Sequence, residues 1–318
     1  MDSFKKKVDK LLEMMHQEII SLDELLDMVK RISRDVIDSE TELASEGLTF
    51  DLVYKDNKLG YAVSQGSCED DYVYIPDNYK GLPVIWISQY GFTEQFSDYE
   101  EIRLPRNLLC IEQGAFSDCY QLKMISLPYG LEEIGEEAFS GCRSLSYITI
   151  PETVKYIGDY AFSDCASLWG IEFPGATKTI SSYILSSSSK IRRVVIGEGT
   201  TRIEMSAFYE CVGLEEIKIP KTVRKIETDA FSMCGNLKKI RYLSTCDDWM
   251  RIDKENNWNR DMPSCLLECI DVTVLLGGGE EYSGTNKQIE AFLRLNPPKV
   301  IKDQLILNYL ENLDDEED

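Results

Sequence analysis

A 23-residue period constrains this chain more than any other feature of its sequence. Phe116, Phe139, Phe162, Leu185, Phe208 and Phe231 follow one another at intervals of 23. Three positions after each stand Cys119, Cys142, Cys165, Ser188, Cys211 and Cys234. Five positions before each stand Ile111, Ile134, Ile157, Ile180, Ile203 and Ile226. A unit this short cannot bury its own apolar face, so successive units must cover one another and the chain must wind into a solenoid.

Each unit has a readable anatomy. Ile125 and Leu127 flank Ser126, which predicts a short strand with Ser126 facing outward. Pro128 stops that strand. Leu131 and Ile134 start the return wall, and Ala138, Phe139 and Cys142 fill the side opposite the strand. The inward pair recurs as Ile102/Leu104, Ile148/Ile150, Ile171/Phe173, Val194/Ile196, Ile217/Ile219 and Ile240/Tyr242. Two coils deviate. The first, with Val84, Ile87 and Phe92, is imperfect, and the step from Phe92 to Phe116 is 24. Residues 180–197 carry Ile184-Leu185 in place of Ala-Phe, Ser188 in place of Cys and Gly197 in place of Pro, with a weak run at Ser186–Ser189.

The pattern Leu-x-x-Ile-x-Leu/Ile-Pro-x-x-(Leu/Val)-x-x-Ile-Gly/Glu-x-x-Ala-Phe-x-x-Cys resembles the BspA-type leucine-rich repeat. The likeness is close from Leu145 through Ile148, Ile150, Pro151, Val154, Ile157, Gly158, Ala161 and Phe162 to Cys165, and it extends over roughly residues 84–243. Residues 49–92 resemble that family's N-terminal cap, and Asp248-Trp249-x-x-Ile252 resembles the segment that closes such arrays. The resemblance implies a curved repeat solenoid with a strand ladder on one side. It also implies a role in binding, since members with signal peptides are typically surface adhesins for host or matrix proteins.

The flanks read differently. Residues 1–46 form an amphipathic helical segment: Phe4, Val8, Leu11, Leu12, Met15 and Ile19 share one face. Ser21-Leu22-Asp23-Glu24 then opens a second helix as a capping box, with a stripe of Leu22, Leu25, Leu26, Val29, Ile32 and Val36. Two such helices need something to bury against. They can pack on each other, on the solenoid end, on a partner, or on a second copy in a homo-oligomer. Residues 47–83 read as a β cap, with a hairpin turn over Asp56–Gly60, a strand resuming at Tyr61 and a further strand at Tyr72–Pro76. Residues 244–276 read as a C-terminal cap with a short helix over 244–252 and a last strand over 270–276. Residues 277–318 read as a Gly277–Gly279 linker, helices over 285–295 and 300–312, and an acidic tail from Asp314 to Asp318.

Composition narrows the function. The 34 basic and 56 acidic side chains give a net charge of −22, which excludes nucleic acid as the main partner because phosphate binding needs a basic footprint. No run approaches the ~18 apolar residues of a membrane span. The first residues mix Lys5, Lys6, Lys7, Asp9 and Glu13 with apolar side chains and lack a continuous apolar signal region. A cytoplasmic protein is expected, with a secreted or cell-surface one as the alternative. Five of the ten cysteines share one repeat phase and read as small apolar fillers of the core rather than as disulfides.

Chemistry is sparse. His16 is the one histidine, which removes most histidine-dependent catalysis and metal binding. Cys265-x-x-x-Cys269 is half of a zinc spacing with no second pair apart from the repeat positions. Gly277-Gly278-Gly279 is followed by Glu280-Glu281, the wrong company for a phosphate cradle. No cofactor or metal is called for. The outward ladder positions remain, and there Arg103, Met124, Tyr147, Trp169, Arg193, Lys218, Lys239 and Arg241 are the candidate partner-binding residues. Met124, Tyr147 and Trp169 have the composition of an interface centre. The cations from Arg193 to Arg241 reverse the sign of the chain locally and suit an acidic partner or the chain's own tail. A non-enzymatic scaffold that binds a protein through the exposed face of the repeat sheet is expected. The alternatives are an exported surface adhesin and, behind it, the regulatory subunit of an enzyme.

Overall fold

The computed structural model describes residues 2–34, 36, 44–93, 99–271 and 273–276. The expected linker, two helices and acidic tail over 277–318 lie outside the described residues. Helices α1 (Asp2–His16) and α2 (Leu22–Ile32) form an antiparallel pair. The capping box closes as expected: Ser21 N–H donates to Glu24 Oε2 at 2.8 Å, and Glu24 N–H donates to Ser21 Oγ at 3.2 Å. Val8, Leu25 and Val29 are buried between the helices and the cap. Two stripe residues are corrected, and one of them, Leu22 at the start of α2, is exposed. The chain turns at Glu18 (φ 58), so Ile20 enters the core and Ile19 stands exposed.

Strands β1 (Thr49–Lys55) and β2 (Lys58–Ser64) make the cap hairpin. Asp56 and Asn57 both take positive φ, 53 and 58, the two-residue turn that suits the right-handed twist of paired strands. β2 pairs in parallel with Leu82–Ile87, which seats the hairpin on the first coil. The helical pair sits on this cap. His16 Nε2 lies 2.7 Å from the Tyr54 hydroxyl. Gly81 holds φ +79, and a Cβ there would meet the Phe4 ring at 2.7 Å, so the glycine both turns the chain and admits α1.

The array then runs through about nine turns. The first ladder comprises Tyr72–Tyr74, Glu101–Arg103, Met124–Ile125, Gly170–Phe173, Arg193–Ile196, Glu216–Ile219, Lys239–Tyr242 and Cys265–Glu268. Pairing is parallel and in register from coil to coil, as in Gly170 with Arg193, Arg193 with Glu216 and Glu216 with Lys239. A second, shorter ladder lines the return wall through Cys110–Ile111, Glu133–Ile134, Tyr156–Ile157, Thr179–Ile180, Arg202–Ile203, Lys225–Ile226 and Asp253–Lys254.

Between the ladders runs one continuous apolar column. Phe116, Phe139, Phe162, Phe208 and Phe231 are fully buried. Phe116 and Phe139 stack with centroids 5.3 Å apart, and Phe139 and Phe162 at 5.4 Å. The repeat thiols form a second column. Cys142 Sγ donates to the Phe116 carbonyl at 3.2 Å, Cys165 to that of Phe139 at 3.2 Å and Cys234 to that of Phe208 at 3.2 Å. Ser188, in the irregular coil, donates to the Phe162 carbonyl at 2.9 Å and so takes the thiol's place.

Two expectations for the strands are corrected. Ile148 and Ile150 point inward, but residues 147–150 form no strand, and the first ladder is interrupted between Met124–Ile125 and Gly170–Phe173. At the C-terminal end the last strand is a pair, Cys265–Glu268 with Thr273–Leu276 antiparallel, and Ile270 stands exposed in the turn between them. The short helix appears as α3 (Cys246–Met250), capped by Thr245, whose Oγ1 accepts from Asp248 N–H at 3.2 Å. Trp258 meets Phe231 edge-on at 5.8 Å and closes the phenylalanine column.

Candidate partner-binding groove

The interruption of the first ladder opens a groove of about 550 Å³. Two consecutive coils form its walls: Tyr147 through Glu152 on one side, Trp169 through Glu172 on the other, with Tyr129, Arg193 and Val195 at its ends. The coil geometry dictates which side chains reach it. Alternation turns Ile148, Ile150 and Ile171 into the core and sends Tyr147, Thr149 and Glu172 outward, while Trp169 stands exposed just before the Gly170–Phe173 strand begins. Gly170 contributes only backbone, leaving space between Trp169 and Glu172.

The groove concentrates exposed aromatic surface. Tyr129 is 78% exposed, Tyr147 67% and Trp169 61%, and Met124 on the preceding coil is 59% exposed. None of these rings stacks on another ring or on a cation among the described residues. Aromatics elsewhere do: exposed Tyr160 stacks on half-buried Tyr183 at 4.7 Å, Arg103 lies 4.8 Å over half-buried Tyr74 and Arg143 5.0 Å over exposed Tyr120. Thr149 Oγ1 donates to the Tyr147 hydroxyl at 3.0 Å, which leaves the phenolic hydrogen free to point outward. Such a groove offers aromatic faces with donors at their edges, the chemistry of an interface centre.

The eight candidate residues divide into three groups. Tyr147, Trp169 and Arg193 line the groove, and Met124 sits one coil before it. Arg103 is engaged with Tyr74 at the N-terminal end of the ladder. The remaining cations lie among carboxylates. Lys239 pairs with Glu268 at 2.9 Å, and Arg241 pairs with Glu216 at 3.0 Å and with Glu268 at 3.3 Å. Arg192, beside them, pairs with Glu215 at 2.7 Å. Arg193 and Lys218 make no ion pair among the described residues. The C-terminal half of the ladder face is thus a partly exposed ion-pair network rather than a field of free cations. Toward the N-terminal end, Lys123 pairs with Glu100 at 2.7 Å and, with the Tyr72 hydroxyl, holds that carboxyl below its ordinary range.

Sequence reasoning passed over Tyr129, and it placed Thr149 and Glu172 on the outward face without choosing them as binding residues. Tyr129 carried a signal: the residue at its repeat position is Arg106, Glu152, Gly175, Glu198 and Lys221 in the other coils, so an aromatic there is out of pattern. Strand alternation turns Thr149 and Glu172 outward, but their place in one groove depends on the ladder's opening.

Ionisable groups elsewhere are held for packing. Burial pushes the Cys165, Cys234 and Cys265 thiols up to about 12. In the C-terminal cap, burial brings the Lys254 ammonium down to about 7, where it lies 4.7 Å from the Trp249 ring and donates to the Trp249 carbonyl. Among the described residues no cluster of three or more His, Cys, Asp or Glu side chains is placed to hold a metal ion. No helix among them is long and apolar enough to cross a membrane.

The repeat pattern matches a known family. Residues 85–213 and 132–251 match the BspA type leucine-rich repeat region, in 6 copies. Together these stretches span more than half of the chain, and the protein belongs to the BspA-type leucine-rich repeat family. Similar solved structures include a leucine-rich repeat protein of T. pallidum, 24% identical over 62% of this chain and 83% of that one, with a TM-score of 0.47. A leucine-rich repeat protein from Bacteroides ovatus is 20% identical over 74% of this chain and 72% of that one, with a TM-score of 0.44. A leucine rich cell surface protein from Faecalibacterium prausnitzii is 19% identical over 66% of this chain and 96% of that one, with a TM-score of 0.34. No curated protein matches the chain.

Proposed function

We propose that the protein is a non-enzymatic scaffold that binds a protein partner through the groove between the Tyr147 and Trp169 coils. Family membership supports the general role, since leucine-rich repeat proteins are typically interaction or surface proteins. The observation that carries the specific reading is the gathering of Tyr129, Tyr147 and Trp169, with open ring faces, at the one interruption of the first ladder among the described residues. Aromatic side chains bring large apolar area at small entropic cost and dominate interface energetics. Arg193 and Glu172 at the rim set the orientation of the partner, as rim charges do.

The test replaces Tyr147 and Trp169 together by alanine in the full chain. Both are exposed, so thermal stability is expected to stay within about 0.5 kcal/mol of the parent. Quantitative affinity purification from the native cell is expected to lose the partner that the parent enriches, with a loss of about 2 kcal/mol or more in affinity for a true interface centre. Equal enrichment by the double variant would remove the groove from the account. We further propose a reducing, cytoplasmic location, supported by the column of buried thiols donating to carbonyls. Trapping thiols by alkylation in the native cell, then counting free cysteines, tests it; ten free thiols are expected, and paired cysteines would favour the exported alternative.

A further inference from the structure

The helical pair at the N-terminal end carries a second apolar surface that no other described residue covers. Between α1 and α2 lies an apolar groove of about 360 Å³ floored by Leu11, Met14, Met28 and Ile32, of which Leu11, Met14 and Ile32 also pack against the core and Met28 is exposed. Lys7, Lys10 and Arg31 line its edge, and none of the three makes an ion pair among the described residues. In a chain of net charge −22 this is an unusual combination: an apolar floor ringed by cations that form no ion pair among the described residues. It suits a segment with apolar residues on one side and carboxylates beside them.

The chain itself contains such a segment. Residues 300–318 bring Leu305, Ile306, Leu310 and Leu313 at spacings of one, four and three, followed by the acidic run Asp314-Asp315-Glu316-Glu317-Asp318. We propose that residues 300–318 dock, within the same molecule, in the groove between α1 and α2, the leucines against Met14 and Met28 and the acidic run beside Lys7 and Lys10. The competing seat on the ladder face is already engaged, since Lys239, Arg241 and Arg192 are paired with Glu268, Glu216 and Glu215. The distance allows it. Nine coils at ~4.8 Å each separate the two ends of the array by roughly 40 Å. Residues 277–299, stretched at about 3.3 Å each, reach roughly 75 Å from the last described strand.

Zero-length carbodiimide cross-linking of the full chain, read by mass spectrometry, tests the contact. An equal mixture of unlabelled and ¹⁵N-labelled protein distinguishes contacts within a chain from contacts between chains. The Lys123–Glu100 pair, 2.7 Å apart, serves as the internal control. Links from Lys7 or Lys10 to Asp314–Asp318 are expected, in all-light or all-heavy form. Control links without these overturn the proposal. Mixed light–heavy links overturn it in favour of a second copy as the occupant. Met28→Asp, an exposed change on the groove floor, is expected to abolish the links to Lys7 and Lys10 while leaving the control intact. Unchanged links in that variant would show charge attraction alone and overturn the seating in the groove.

Discussion

At the residue scale, the same small set of choices is made once per coil and its effect accumulates. Each repeat thiol is a hydrogen-bond donor as well as a filler, which is why Ser188 substitutes for cysteine while alanine occurs at none of the six positions. Thiols in an unfolded chain titrate near pH 8.5, whereas burial pushes Cys165 and Cys234 up to about 12. The folded state therefore keeps protons that the unfolded chain releases. Stability from these groups is complete below about pH 8.5 and falls as pH rises toward 12, by about 1.4 kcal/mol per pH unit for each thiol. Urea unfolding at pH 7.5 and pH 10 is expected to show this loss, and Cys165→Ser, which does not titrate, to show a smaller one. Backbone geometry is repeated as well. Gly114, Glu137, Tyr160, Tyr183, Ser206 and Asp229 all take φ between 54 and 59, as do Asp118, Asp164, Ser187, Glu210 and Met233 near that value. A side chain in this left-handed region costs about 1 kcal/mol. Glu137→Gly, copying Gly114, is expected to raise the unfolding free energy by about 0.5–1 kcal/mol in the same assay.

At the element scale, single strands of two to four residues have no independent stability and exist only as rungs of a ladder. Where a rung is missing, other groups take over. Next to the Tyr156–Ile157 strand the second ladder also breaks, and there Thr177 Oγ1 donates to the Val154 carbonyl at 2.9 Å while Ser181 hydroxyl bonds the Ile157 carbonyl. In the first ladder the opening at 147–150 is left as groove wall. Hydrogen exchange followed by mass spectrometry is expected to reflect this: peptides covering 146–151 exchange before those covering 193–197, whose amides pair on both sides. Equal protection of the two would mean that the ladder closes in solution.

At the scale of the whole molecule, a solenoid is stable in proportion to its contacts between neighbours and fails first at its ends. Here the N-terminal end is covered by the cap hairpin and helical pair and the C-terminal end by Trp258 and the final strand pair. Trp258→Ala uncovers Phe231 and is expected to cost about 3–5 kcal/mol, seen as a lower thermal midpoint by circular dichroism. How much of this was legible follows from period and distance. The 23-residue recurrence of Phe, Cys and Ile by itself determined the winding, the inward faces and the column of rings and thiols, because any other path would leave those side chains in water. Local pattern outside the repeats specified the capping box at Ser21 and a turn within Asp56–Gly60, which the structure tightens to Asp56-Asn57 with the second strand starting at Lys58. Only the tertiary structure decided where the ladder opens, which cations are already paired, and that Tyr129 and Glu172 share a groove with Trp169. Those features depend on the spacing between coils, and a pattern written one coil at a time carries no term for it.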